Sequence, residues 1–372
     1  MFNGLKILHL VSAESDWEPA VRVVALAAAL REFGLNSAIT APDHSRLWEV
    51  AEAAGVEVVD YSLESSLNPL RWRDLSKTLK SAEAGIIHAH DADAAKLLAR
   101  ARMFSGATAT ATSRYDLRSQ PTAAEYAAGV DAVICPSEAL AEVFRKNKEA
   151  AGKVRVVFDG APLALANHAL EERDGIRLRY RDAYCPHKEK PLFIVNVAPL
   201  ESGSGQADIL EAMTEIVAAL PQTHLFVMGE GSLREELERQ VKITALEKDV
   251  SFLEPDKAFV RLLAAADLYV SCNDNDVSGF MVQTAMAAAK PIVAKKTGCG
   301  EELIEDGKCG LLLADGGAAS IKAALLDLLE NRTRREHFGR MAKARADKLF
   351  DIANQAGRIA EIYGEIASGK AR

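Results

Sequence analysis

No stretch of this chain is apolar for the roughly 18 residues that a membrane-spanning helix needs. Positive charge is short as well: 45 Lys and Arg stand against 53 Asp and Glu, for a formal charge of −8. A nucleic-acid surface requires the reverse, clustered basic residues set against phosphate. The five cysteines, Cys135, Cys185, Cys272, Cys299 and Cys309, are scattered, odd in number and never spaced Cys-x-x-Cys. That pattern fits reduced thiols in the cytosol. No histidine sits at ligand spacing from a cysteine, so no metal is expected. Missing too are a Gly-x-Ser-x-Gly elbow, a Walker A lysine loop and a Gly-x-Gly-x-x-Gly after the first strand. Their absence weighs against hydrolase, kinase and nicotinamide chemistry. The start, MFNGLKILHLVSAES, lacks a small-residue cleavage site and reads as a first buried strand rather than a signal peptide.

What is present is αβ alternation. With 372 residues, 49% of them hydrophobic, the chain is too long for one ordinary core, and two domains are expected. Strands are predicted at 6–11, 37–41, 57–60, 85–90, 107–112, 131–135 and 154–157, then at 191–200, 223–231, 249–254, 267–272, 291–296 and 309–315. Between them lie helical patterns such as 18–34, apolar at spacings of three and four and closing on Gly34. Several strands are continuous apolar runs, the signature of parallel sheets covered on both faces. The fold class is therefore α/β. Regularity fades over 159–175, and the linker is placed between about 160 and 190, with Asp159-Gly160 as turn and hinge. A last amphipathic helix is expected at 346–368. The basic run 331–340, with Lys343 and Arg345, reads as a solvated helix face; contact with an anionic membrane surface is the sharper alternative.

Open parallel sheets bind ligands beyond the carboxyl ends of their strands, so candidate residues are sought in the loops there. Two such sheets in tandem would face each other across a cleft. Gly229-Glu230-Gly231 follows a strand and precedes a helix, where free N–H groups suit an anion. Ser232 and Glu235 there also fit a capping box. Gly298 and Gly300 follow Lys295 and Lys296, which stand where a phosphate would arrive. Ser278, Gly279 and Phe280 open the helix that carries Thr284, with Asp276 beside them. In the first half, His88 and His90 alternate to opposite faces of a strand, and His90 at its carboxyl end is a general-base candidate. Arg114 follows another strand, and Trp17 and Glu18 occupy the first strand–helix turn.

The run GEGSLREEL, then DVSFLE, LAAADLYVS, AMA before Pro291 and TGCGEE resembles the carboxyl domain of GT-B glycosyltransferases, and of the retaining family 4 in particular. IIHAHD, VDAVICPSEAL and VVFDGAPL in the first half are similar more faintly. The resemblance implies two Rossmann-like domains facing across a cleft, 1–170 and 185–345, with a carboxyl-terminal helix (350–372) crossing back to the first. It implies a nucleotide-diphosphate sugar on the second domain, an acceptor on the first and no metal or other cofactor. Acceptors in the family range from lipids and cell-surface polysaccharides to small metabolites.

Family positions that hold an arginine and a lysine against the donor diphosphate are Pro199 and Ser204 here, with Gly205 kept. Two family glutamates, eight apart, match Asp276 and Thr284. The glycine pair of the first turn is replaced around Trp17-Glu18-Pro19, and a family histidine is matched by Arg114. The expected donor site therefore comprises Ser204, Gly205, Gly229, Glu230, Gly231, Ser278, Gly279, Phe280 and Thr284, with Lys295, Lys296 or Arg114 supplying charge. Asp276, His90 and Arg114 are the catalytic candidates, and Trp17 and Glu18 lie on the acceptor side. A retaining transferase is one reading. A catalytically impaired relative that serves as a binding or partner subunit is the other, because fold alone does not fix function.

Overall fold

The computed structural model describes residues 5–11, 17–61, 75, 77–105, 109–113, 129–256, 258–274 and 279–369; for 17–19 and 100–105 it describes the backbone alone. The chain divides into two compact units, one of residues 1–160 and 352–372 and the other of 161–351.

The first unit alternates β1 (Lys6–Leu10), α1 (Trp17–Ala29), β2 (Asn36–Ala41), α2 (Arg46–Ala53), β3 (Glu57–Asp60), β4 (Ile86–Ala89), α3 (Ala92–Ser105), β5 (Ala109–Ser113), β6 (Ala132–Cys135), α4 (Glu138–Arg145) and β7 (Val154–Val156). Its 7-stranded sheet runs β3-β2-β1-β4-β5-β6-β7, and the paired strands are parallel. β4 and β6 are buried at every position, so no face of theirs is left to alternate with polar residues. After α1 a 3-10 turn ends on Gly34 at φ 74, a left-handed stop that glycine adopts without a Cβ clash.

The second unit opens with α5 (Leu163–Glu171) and α6 (Arg173–Tyr184) and continues β8 (Leu192–Val197), α7 (Gln206–Ala219), β9 (Thr223–Met228), α8 (Arg234–Ile243), β10 (Val250–Leu253), α9 (Phe259–Ala265), β11 (Leu268–Ser271), α10 (Phe280–Ala287), β12 (Ile292–Lys295), α11 (Gly298–Leu303), β13 (Gly310–Leu313), α12 (Ala318–Glu330) and α13 (Arg332–Leu349). Its 6-stranded sheet has the order β10-β9-β8-β11-β12-β13, again with parallel pairs. One core joins Ile194, Leu210, Leu225, Val270 and Val293 to Ile321, Leu325 and Phe338. The last helix, α14 (Ile352–Ala367), belongs to the first unit. There Ile359, Tyr363 and Ile366 pack with Ile7, Leu26, Leu30 and Ile86.

One stretch differs from the sequence expectation. The expected linker over 160–190 instead forms α5 and α6, and the first unit ends at Gly160, ahead of the boundary drawn at 170. α6 buries Ile176 alone, so its apolar stripe is too thin to register as a helical period. The basic run lies on α13 and is largely exposed, as expected: Arg332 pairs with Glu336 at 2.7 Å, Lys343 with Asp347, and Arg334 with Asp327 of α12. Arg345 reaches Glu305 at 2.6 Å and the carbonyls of Glu302 and Leu303. Among the described residues no helix is long and apolar enough to cross a membrane.

Candidate functional site

In the second unit the strand order reverses at β8, which lies between β9 and β11. β8 pairs with β9 along its whole length, from Leu192 to Val197, but with β11 only at Ile194 and Val195. Beyond those pairs side chains bridge the strands: Asn196 Nδ2 donates to the Val270 carbonyl at 2.9 Å, and Tyr269 Oη to that of Val197 at 3.1 Å. Past this splay a cavity of about 430 Å³ opens, lined by Gly203, Gly205, Asp208, Cys272, Asp274 and Lys295. Carboxyl ends at such a reversal are where open sheets hold ligands.

The loops around the cavity touch one another closely. Gly205 has φ +80, and a Cβ there would stand 2.6 Å from Cys272 Cβ and 2.7 Å from its carbonyl oxygen. Only glycine fits that posture at that separation. Gly205 is also the N-cap of α7, and no side chain caps the helix. Its first N–H groups are therefore left to the cavity, at the positive end of the helix dipole. Asp274 N donates to the Gly203 carbonyl at 2.8 Å, which ties the β11 loop to the β8 loop. Ser204 is fully buried, and Pro199 is exposed.

The β9 loop is fastened to the β8 loop as well. A Cβ on Gly229 would meet the Ala198 carbonyl oxygen at 2.1 Å. Leu200 N donates to the Glu230 carbonyl, and Leu233 N to that of Leu200, both at 2.9 Å. The Glu201 carboxylate accepts from Ser232 N at 2.8 Å and Ser232 Oγ at 2.7 Å. Ser232 is thus engaged outside the helix, and the capping box expected with Glu235 does not form; Leu233 is the N-cap of α8, with no side-chain bond. Close approach accounts for the Gly229 position. Glu230 and Gly231 are exposed.

At the end of β12 the two lysines separate. Lys295 lines the cavity and is ion-paired with Asp274, whose hydrogen bond raises the lysine pKa above its ordinary value. Lys296 is exposed and pairs with Glu301 at 3.2 Å. Burial pushes the neighbouring Cys272 thiol up to about 12 and keeps it protonated. Gly279 precedes α10 in the left-handed region, and every residue of that helix from Phe280 on is buried. Thr284 turns its hydroxyl back to the Phe280 carbonyl at 2.8 Å. Beside it Gln283 is fully buried, with neither amide atom hydrogen-bonded. Asp276, Ser278 and Arg114 lie outside the described residues, as do the side chains of Trp17 and Glu18.

In the first unit, three histidines meet at the carboxyl ends of β1 and β4. His9 Nδ1 and His90 Nε2 are 2.8 Å apart. His88 Nδ1 bonds Tyr363 Oη and its Nε2 bonds Ser113 Oγ, each at 2.7 Å. His88 and His90 do not point to opposite faces; their ring centroids are 4.0 Å apart. Side chains two positions apart on an extended chain return to the same face, so the expectation of opposite faces was mistaken. Burial pushes His9 down to about 3, and burial with the neighbouring rings lowers His88 and His90 well below their ordinary value. Neutral imidazoles are the metal-ligating form, and one nitrogen of each lies within 4.8 Å of the others. Serine, tyrosine and the rings themselves already engage both nitrogens of His9 and His88 and Nε2 of His90, however, so a metal would have to displace hydrogen bonds of 2.7–3.3 Å.

Comparison with known proteins accounts for this arrangement. The family model described as Glycosyl transferases group 1 matches residues 184–345, and that described as Glycosyltransferase Family 4 matches 19–165. The chain belongs to the family 4-like GT-B glycosyltransferases. Among curated members, a phosphatidyl-myo-inositol mannosyltransferase of Mycobacterium leprae is 28% identical over 171 residues, 45% of each chain. A sulfoquinovosyl transferase of Arabidopsis thaliana is 24% identical over 222 residues, 59% of this chain and 41% of that one. The match to spore coat protein SA of Bacillus subtilis is 26% over 227 residues, 58% and 59% of the two chains. The chain thus spans about half the length of the curated relatives it matches. Among solved GT-B structures, Anabaena Alr3699/HepE in complex with UDP and glucose superposes with a TM-score of 0.82 at 19% identity, covering 97% of this chain and 99% of that one. A Rickettsia africae glycosyltransferase superposes at 0.81 with 15% identity, over 98% and 99%. At such identities the likeness carries the fold.

Proposed function

We propose that this chain is a glycosyltransferase that moves a sugar, with retention of configuration, from a nucleotide-diphosphate donor held by the second unit to an acceptor held by the first. One observation carries the reading. The side-chain-free start of α7 at Gly205 lines a cavity at the strand-order reversal, with Lys295 in the same wall. The donor diphosphate lies against those N–H groups, and Lys295 and Lys296 replace the charge that Pro199 and Ser204 do not bring. Negative charge grows on the leaving nucleotide as the glycosidic bond breaks. Fixed N–H groups and ammonium groups aimed at it stabilise that transition state without reorganising. Asp276 stands beside the transferred sugar in this reading, and no metal is required. Solved structures of Anabaena Alr3699/HepE with UDP, and with UDP-glucose, support a nucleotide sugar as the donor class.

A second reading, a binding or partner subunit, is favoured by the pairing of both lysines with carboxylates, Asp274 and Glu301. Melting temperature in the presence of UDP, GDP and their sugar forms separates the two, because a ligand bound to the native state raises it. The transferase reading predicts a rise with at least one nucleotide. A Lys295→Ala/Lys296→Ala variant should then lose on the order of a hundredfold in turnover. No shift with any nucleotide would select the partner subunit.

A further inference from the structure

The opposite edge of the second sheet carries a different kind of pocket. It holds about 580 Å³ and lies at the amino ends of β8, β11 and β12, beside Leu192, Asp267 and Pro291. Volumes of this order suit small ligands. Three of its walls are basic. α6 contributes Arg173, Arg177 and Arg181, the first turn of α13 contributes Arg332 and Arg335, and the strand entries contribute Lys190 and Lys290. Four acids, Asp174, Glu189, Asp267 and Glu336, also line it, so in a chain of net charge −8 this concavity is positive.

The floor is where the imbalance is sharpest. Lys290 is 2% exposed and Arg335 is 8% exposed. Among the described residues neither is ion-paired with a carboxylate: Lys290 Nζ donates to the carbonyls of Ala264 and Ala266 at 2.8 and 2.9 Å, and Arg335 Nη1 to those of Leu328 and Leu329 at 2.7 and 2.8 Å. Asp267 is shared, 2.7 Å from Arg177 and 3.9 Å from Arg173, and it also accepts from Phe193 N at 2.8 Å. Arg173 Nε is buried without a hydrogen-bond partner. The carbonyls involved belong to the carboxyl ends of α9 and α12, each worth about half a negative charge. Across the pocket, seven basic side chains therefore stand against four carboxylates and two helix ends, which leaves it with an excess of positive charge. Burial lowers both Lys290 and Arg335 below their ordinary pKa values, the sign expected of cations short of counter-charge.

We infer that this pocket is a second anion site that binds a small, soluble, multiply charged phosphate compound of the pyrophosphate or phosphomonoester class. Planar guanidinium forks match phosphate oxygens two at a time, and a buried ammonium adds a point charge beneath them. The site shares no residue with the candidate donor site.

Pyrophosphate is the probe, titrated calorimetrically into the full chain at fixed ionic strength with UDP present in excess to occupy the donor loops. Binding is expected to persist with UDP and in Lys295→Ala. It should weaken at least tenfold in Arg181→Ala/Arg332→Ala, whose side chains lie at the rim and are not needed for the core. Lys290→Met, with circular dichroism confirming the fold, should weaken it as well. Binding that UDP or Lys295→Ala removes would assign pyrophosphate to the donor loops and overturn the second site. Absence of binding, or binding that both pocket variants leave unchanged, would overturn it too. So would binding confined to phosphatidic acid vesicles, which would give the phosphate to a lipid.

Discussion

Lys295 lines the crevice where the strand order reverses, and Asp274 is its counter-ion. If that lysine contacts the donor diphosphate, Asp274 competes with the ligand for it. Asp274→Asn keeps a hydrogen-bond acceptor but removes the charge, so affinity for UDP should rise several-fold, the scale of about 1 kcal/mol for an exposed pair. Calorimetric titration of the two proteins reads this; an unchanged affinity would remove Lys295 from the phosphate contacts. The histidine cluster makes its own prediction. His9, His88 and His90 are held neutral in the folded first unit, so their folded pKa values lie below the unfolded value of 6.5. Stability from this source is full above pH 6.5 and is lost as the pH falls toward the folded values, for His9 about 3. The slope is about 1.4 kcal/mol per pH unit for each histidine kept neutral. Urea midpoints of the first unit should therefore fall between pH 7 and pH 5, and a flat profile would show that the rings are solvated.

At the scale of elements, α14 is bound to the first sheet by apolar packing and by polar ties, Tyr363 Oη on His88 Nδ1 at 2.7 Å and Glu365 on Arg155 of β7 at 3.6 Å. Gln355 adds a further tie, accepting from Gly160 N at 3.0 Å and donating to Asp159 at 2.9 Å. Tyr363→Phe keeps the ring and orphans a buried imidazole nitrogen, so it should cost about 1–3 kcal/mol. Denaturant unfolding of the first unit checks this, and a cost near zero would mean that water replaces the hydroxyl. The strands were legible in the sequence because a parallel sheet buried on both faces demands continuous apolar runs, as in IIHA of β4 and AVIC of β6. α5 and α6 were not, since α6 spends its surface on arginines whose partners, such as Asp267, lie about ninety residues away in sequence. Gly205 and Gly229 could be flagged as places of close backbone approach. Asn196, Glu201 and Asp274 could not, because their roles depend on neighbours across strands.

For the whole molecule, the chain builds one sheet, passes at Gly160 into a second with its own core, and returns at Ile352 to complete the first. Each unit should therefore answer to its own ligands. Fold and family follow from the αβ alternation and the glycine-marked loops of 190–315. The proposed donor site is built from the carboxyl-end loops of the second sheet. Hydrogen–deuterium exchange with and without UDP-glucose tests that most directly. Slowed exchange at 198–208, 229–233 and 272–274, with 173–181 and 332–336 unchanged, is the predicted result; no slowing in those three loops, or slowing confined to the arginine-rich edge, would contradict it.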